Sequence, residues 1–486
     1  MKTAITILML SVLLWPAVVL AEDTAGDTRA ADGKKEVLTY ENYIDKIRDR
    51  LPEIKTNIIQ VQKSENRLHR ARQVRDTTLT GSTQYYRKKE YTIGPSLFEM
   101  DHTEGYTAHA GIQRIIAPTG TRVSAGIDYS KTTMKGDITS QQRSMTFDAY
   151  QPSVSASIIQ PLLYNAFGAL DRFAENDARM KLEIQKLQRQ EDDRSLMNYY
   201  RKLYFHWLFY LRAIEIVEDT IKNARSLEDT VRRKAGAGLA ENDNVQNVLS
   251  SVLQYRAQLQ QYEIRLNSIE KELGIYLELE KYAPDRNLMD RMFTKASDHN
   301  YKEVPFDATT GSRIIQKNID NMKYVLDVKE NSSLPSLNLV GSVTRKNYDE
   351  TFPGAAEKLD DTDYSIGLEF SYPLGNHNAE ADIHEARLAL KELEKQYQAS
   401  RNRYQKSMSE ILQSIKGYRK VTSTREENLQ ALRSQLRTER KKYAQARLDL
   451  QFLITTENSI AREYLTLLEQ RVELITLYID YMDLAK

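Results

Sequence analysis

The sequence has no cysteine among its 486 residues, which excludes disulfides, thiolate metal sites, cysteine nucleophiles and a lipid carried on an N-terminal Cys. Glycine and proline are scarce, at 19 and 11, so the chain is neither collagen-like nor low in complexity and leaves room for long unbroken helices. Neither charge is in excess, since 69 Lys and Arg face 68 Asp and Glu for a net of +1. Gripping a nucleic-acid backbone takes a basic surplus, so nucleic acid is not an expected partner. Tryptophan is down to 2 residues while tyrosine reaches 29. Long hydrophobic runs are missing as well, with one exception at the N-terminus.

That exception is residues 2–21, in which one Lys precedes an apolar stretch ending in Val19-Leu20-Ala21. A basic start, an apolar core and a small-x-small end describe a secretory signal peptide cut after Ala21. The alternative is an uncleaved membrane anchor, against which Pro16 and the small-residue end both speak. Residues 22–37 are polar and are expected as a flexible leader. No later run approaches 18 apolar residues, so no transmembrane helix is expected beyond residue 21.

Elsewhere apolar residues recur in steps of three and four. Tyr40, Ile44, Ile47, Leu51, Ile54, Ile58, Val61 and Leu68 predict a first helix. Val245 to Leu273 and Ile383 to Tyr418 repeat the pattern, a spacing near 3.5 that is the coiled-coil signature. Residues 171–232 and 378–445 hold no proline and almost no glycine, and about 60 helical residues reach roughly 90 Å. Such helices exceed the width of an ordinary domain.

Between the helical tracts the period falls to two. In Tyr364 to Tyr372 apolar residues alternate with Ser, Gly and Glu, and Val154, Ala156 and Ile158 alternate with serines. Leu337 to Val343 does the same, and Thr77 to Thr92 more weakly. Alternation of this kind fits a half-buried sheet or a barrel with lipid outside and water inside. Export, strands of about 9–12 residues and tyrosines at strand ends favour the barrel. Segments 87–105 and 345–363 are polar and are expected as exposed loops.

The chain also echoes itself. Gln160-Pro161-Leu162-Leu163-Tyr164-Asn165 ends one strand and leads into a long helix, as Tyr372-Pro373-Leu374-Gly375-Asn376 does later. The turn Gly238-Leu239-Ala240, followed by Val245-Gln246, has its counterpart in the segment from Tyr443 to Ile454. Helix, strands, long helix, turn and helix thus occur twice, as in a duplicated unit. In these pieces and their order the sequence resembles the TolC-like outer-membrane efflux protein family, from about Leu38 to the C-terminus. The resemblance implies an α+β membrane protein, a homotrimer whose shared transmembrane β-barrel continues into a long α-helical periplasmic tunnel. It implies the exit duct of a tripartite efflux pump or a type I secretion system. Its partners would be a periplasmic adaptor, an inner-membrane transporter and outer-membrane lipid. The organisation expected is a first repeat at 38–282 with strands at about 77–163, a linker at 283–310, and a second repeat at 311–486 with strands at about 336–374.

Two features depart from the family. Leu51 to Pro161 spans 110 positions whereas its counterpart, Ile319 to Pro373, spans 54. Within the excess, Ala108 to Ile116 and Thr121 to Ser130 read as two more strands around Pro118-Thr119-Gly120-Thr121, a turn-forming cluster. Four strands per protomer would give the family's twelve-stranded trimer barrel and six would give eighteen, unless the extra hairpin folds outside it. The second departure is the gate, which the resemblance places at the turns between long and short helices, commonly with an acidic ring. The matching positions here are Asn244 in the first repeat and Phe452 and Thr455 in the second, with Asp243, Asp449 and Glu457 close by. Phe452 either forms a partly apolar constriction or packs between helices. Ala446 stands where the second turn would have glycine, which supplies φ > 0 cheaply.

Motifs for chemistry fail. His384-Glu385 begins a zinc-protease pattern, but position 388 is Leu. His377 and His384 read as solvated surface residues, and Gly236-Ala237-Gly238 lacks the Lys of a phosphate loop. Glu369 lies on the polar alternate of its strand and would face a lumen. No catalytic, cofactor or metal site is expected, and the chain is not read as an enzyme. Two rivals to the duct remain: a periplasmic coiled-coil adaptor bridging inner- and outer-membrane components, and an outer-membrane adhesin or scaffold.

Overall fold

The computed structural model describes residues 36–89, 98–138, 143–237, 241–357, 359–445 and 447–485; residues 1–35, which carry the expected signal peptide and most of the leader, lie outside them, as do Gly238-Leu239-Ala240 and Ala446. In chain order the elements are β1 (Glu36–Leu38), α1 (Tyr40–Arg50), α2 (Pro52–Ala71), β2 (Thr78–Lys89), β3 (Phe98–Ile116), β4 (Thr121–Ile138) and β5 (Arg143–Pro161). There follow α3 (Phe173–Gly236), α4 (Asn242–Gly274), β6 (Tyr282–Pro284), α5 (Leu288–Asp298) and α6 (Thr310–Ser332). The chain ends with β7 (Ser336–Lys346), α7 (Phe352–Glu357), β8 (Asp361–Ser371), α8 (His377–Ala444) and α9 (Leu450–Leu484).

The absence of breakers sets the helix lengths. α3 runs 64 residues and α8 runs 68, about 95 and 100 Å at 1.5 Å per residue. α3 packs along α4, and α8 along α9. The first apolar series folds as two helices rather than one. A residue before proline is pushed to extended backbone, and Leu51, before Pro52, sits at φ −69°, ψ 118°. Residues 36 and 37, at the end of the expected leader, are ordered with Leu38 as β1, which pairs in parallel with β6. Residues 283–310 are likewise more than a linker. Leu288, Met289, Met292, Phe293 and Ala296 fall on one face of α5, which packs on α9.

The main core lies halfway along α3, where α1, α4, α5 and α9 converge. Tyr43, Tyr204, Phe205, Trp207, Leu273 and Ile475 are its buried anchors. The ring centroids of Tyr43 and Tyr204 lie 4.7 Å apart. The Tyr43 hydroxyl donates to the Tyr200 carbonyl at 2.9 Å, and burial pushes that phenol well above its ordinary range. Tyr40, beside it, is pushed up to about 12 by the same desolvation. Both phenols therefore stay protonated, as donors buried with rings should.

Among the described residues, the remaining strands form one antiparallel sheet in the order β2-β3-β4-β5-β7-β8. The additional hairpin, β3 and β4, lies inside this sheet rather than beside it. β3 and β4 are 19 and 18 residues long, beyond the expected 9–12. Residues 87–89 and 98–105, expected as loop, continue β2 and β3. Apart from Phe98 and Met100 their side chains are polar or absent, which leaves too short an alternation to read; ladder hydrogen bonds extend the strands regardless.

Candidate functional site

Cross-strand register sorts the strand residues onto two faces, because side chains alternate along each strand. One face carries Leu79 and Tyr85 of β2, Tyr106, Ile112 and Ile116 of β3, and Val123 and Ile127 of β4. Val154 and Ile158 of β5, Leu339 and Val343 of β7, and Tyr364, Ile366, Leu368 and Phe370 of β8 complete it. This face is uncovered: Tyr364 is 86% exposed, Ile366 80% and Leu368 68%. From Ile116 to Tyr106 it extends about 33 Å along β3. Tyrosines mark its upper limit, with Tyr85 and Tyr106 in ring contact at 4.9 Å and Tyr129 against Phe352 at 5.6 Å. Above them the same face turns charged, with Lys135 2.9 Å from Glu104 and Tyr85 donating to Glu104 at 3.1 Å.

The opposite face is small and polar. Ser124 meets Ser157 at 2.6 Å and Ser342 meets Ser365 at 2.8 Å. Glu369 lies on this face opposite Asn338. At its centre is a pair not foreseen from the sequence: His109 Nδ1 is 2.6 Å from Asp128 Oδ1. Two glycines make the seat for this imidazole. A Cβ on Gly111 would come within 2.8 Å of His109 Nε2, and one on Gly126 within 3.0 Å of its Cε1. The signal existed, for once the turn at 117–120 closes the hairpin, the register sets His109 opposite Asp128. Ser82 is the cross-strand neighbour of His109 on β2, but no hydrogen bond joins them, and Nε2 lies over Gly111.

Sheet and helices meet at two joints held in left-handed backbone. Asn165 (φ 60°), Phe167 (φ 53°) and Gly168 (φ 65°) turn β5 into α3, and Gly375 (φ 97°) and Asn376 (φ 27°) turn β8 into α8. Both asparagines are tied near the end of α6: Asn165 N donates to Asn331 at 3.0 Å and Asn376 Nδ2 to the Ser333 carbonyl at 3.1 Å. The β3–β4 turn is seated on the first joint, with the Ala117 carbonyl packed against Gly168. The buried carboxylate of Glu175, in the first turn of α3, pairs with Arg75, with Arg72 at 3.5 Å and with Arg179 at 2.9 Å. It anchors the 3-10 turn Arg72–Arg75, which leads into β2.

At the far end, the tips of the two helix pairs share a small core of Val231, Val245, Val248, Leu450, Leu453 and Ile454. The sequence-assigned gate candidates are brought near this core, with different roles. Asp449 caps α9, accepting from Gln451 N at 2.8 Å, and Asp243 accepts from Asn244 N at 2.8 Å in the first turn of α4. Thr455 donates back to the Gln451 carbonyl at 2.7 Å. Glu457 is held by Arg440 at 2.8 Å and is mostly covered. Phe452 instead is 60% exposed, so it is not packed between the helices of this chain. His377 and His384 are exposed. No group of three His, Asp or Glu able to hold a metal occurs among the described residues. No helix among them is long and apolar enough to cross a membrane.

No protein-family model matches the sequence, and no curated protein matches it. Solved structures do match along nearly the whole chain. CusC, studied for conformational changes accompanying folding and transmembrane channel formation, is 11% identical with a TM-score of 0.63, covering 95% of each chain. The outer membrane protein VceC of Vibrio cholerae is 10% identical with a TM-score of 0.63, over 92% of this chain and 95% of its own. The MtrE outer membrane channel of Neisseria gonorrhoeae, in its open state, is 14% identical with a TM-score of 0.57 over 98% of each. The chain has the fold of these outer-membrane channels, the TolC-like fold that the sequence resemblance implied.

Proposed function

We propose that this protein is the outer-membrane exit duct of a tripartite efflux pump or type I secretion system, a passive homotrimeric conduit built on a duplicated unit. The observation that carries the reading is the sheet. One face is apolar and uncovered, the other is lined with Ser, Thr and Gly, and both edge strands, β2 and β8, lack an outer partner among the described residues. Open edges and an exposed apolar face are liabilities in water. Lipid on the apolar face and neighbouring copies on the edges remove both.

With β8 of one copy against β2 of the next, three six-stranded sheets close an eighteen-stranded barrel. Barrel diameter grows nearly linearly with strand number, so this one is about 1.5 times as wide as a twelve-stranded barrel. The paired long helices continue below it as a tunnel in the periplasm, where an adaptor would dock and link the duct to an inner-membrane transporter. Opening requires the adaptor to bind the open state better than the closed one.

The periplasmic adaptor reading leaves the apolar sheet face without lipid. Fractionation separates the two: the duct is expected in the outer-membrane fraction, released only by detergent, whereas recovery in the soluble periplasmic fraction would reject it.

Two predictions concern the lumen. Phe452→Ala is expected to raise baseline single-channel conductance several-fold if that ring narrows the gate, and an unchanged conductance would move Phe452 off it. Asp128→Asn removes three lumen carboxylates from the trimer and is expected to lower cation over anion selectivity, read as a shift in reversal potential under a salt gradient. An unshifted potential would take the His109–Asp128 pair out of the conduction path.

A further inference from the structure

We propose that the lower rim of the barrel carries a binding site for the headgroup of an anionic phospholipid, built by Arg114 and Arg75; it rests on the outer-membrane reading above. Arg114 is on the apolar face of β3, flanked on that face by Ile112 and Ile116. It is exposed and makes no hydrogen bond or ion pair among the described residues. An arginine facing lipid is strongly unfavourable at the bilayer midplane and nearly neutral at the interface. Arg114 stands one same-face position above Ile116, which ends the strand, so its guanidinium reaches the headgroup level.

The site has a shape as well as a charge. A cavity of about 440 Å³ is lined by Arg75, Arg114, Ile115, Ile116, Ala117 and Pro118. Two guanidiniums over an apolar wall match a phosphate attached to the start of an acyl chain. The surroundings are cationic: Arg72, Arg75 and Arg179 all converge on the single carboxylate of Glu175. One edge of Arg75 is taken by Glu175, which fixes the side chain and leaves the net positive charge unquenched. The long helices leave the barrel at this rim, so under the proposed orientation it meets the periplasmic leaflet, which is made of phospholipid. Basic pockets next to an apolar transmembrane surface are how proteins select anionic headgroups, and the guanidinium fork suits phosphate.

The test is retention of phosphatidylglycerol against phosphatidylcholine by the detergent-purified trimer, read by native mass spectrometry, with planar-bilayer conductance in each lipid measured in parallel. The wild type is expected to prefer phosphatidylglycerol about fivefold or more. Arg114→Gln should bring the preference within twofold, and Arg114→Lys should restore part of it. Arg286→Gln, which removes the same charge far from the rim, should leave it intact. A heat-resistant trimer with normal Trp207 emission establishes that each variant is folded. Channels in both lipids without any preference would overturn the site and leave the duct standing. A preference that survives in Arg114→Gln would overturn it equally. No channel in either lipid would overturn the duct reading and the site with it.

Discussion

Gly168→Val is expected to abolish the stable, membrane-inserted trimer. Gly168 sits at φ +65°, and a Cβ there would lie 1.9 Å from the Ala117 carbonyl oxygen and 2.9 Å from Gly120 N. Both obstacles are backbone, so no rotamer change relieves the clash. The left-handed backbone alone costs about 1–2 kcal/mol for a residue with a Cβ. Pushing the β3–β4 turn off the joint adds at least ~1–3 kcal/mol of overpacking. The matched control is Gly417→Ala in α8, where a Cβ meets nothing within 4 Å; it should stabilise by about 0.5–1 kcal/mol, as alanine does inside a helix. Urea unfolding followed by the emission of the buried Trp207 compares the two. A Gly168→Val protein with wild-type stability would mean that the turn does not rest on the joint.

Leu368→Arg should prevent membrane insertion, whereas Ser365→Arg should be tolerated. Leu368 is on the exposed apolar face of β8 and Ser365 is on the face bonded to Ser342. An arginine at the lipid midplane costs about 2–4 kcal/mol per copy, and a trimer carries three. In a water-soluble adaptor the same change would cost almost nothing, because the leucine is already exposed and surface substitutions are near neutral. The readout is the fraction of protein in the outer membrane as heat-resistant trimer. Equal insertion of both variants would take lipid away from this face.

Those two experiments probe features of unequal visibility in the sequence. The apolar face was legible because its residues alternate strictly with small and polar ones, as in Tyr364, Ile366, Leu368 and Phe370. Helix length was legible from the missing breakers in α3 and α8. The break at Pro52 was hidden because Ile47, Leu51 and Ile54 continue the apolar period through it, while the proline acts on the backbone of Leu51. Residues 98–105 gave no strand signal, since polar residues such as Glu99, Thr103 and Glu104 are paired there by the ladder, across a register shift at Asp101. That the extra hairpin joins the sheet depends on pairings between strands distant in sequence, such as β5 with β7.

The candidate site was legible only in outline. Glu369 lies opposite Asn338 on the polar face of β8, and the gate candidates gather at the helix tips. Their roles depended on neighbours that spacing does not reveal: Arg440, 17 positions away, holds Glu457, and Asp449 serves as a helix cap. His109 and Asp128 were separable from surface polar residues only through the hairpin register.

The most direct test of the duct is single-channel recording after the membrane fraction is extracted in detergent and reconstituted into a planar bilayer. The account predicts discrete openings from a trimer, larger in Phe452→Ala than in the wild type. A protein that dissolves without detergent and gives no channel events would contradict it.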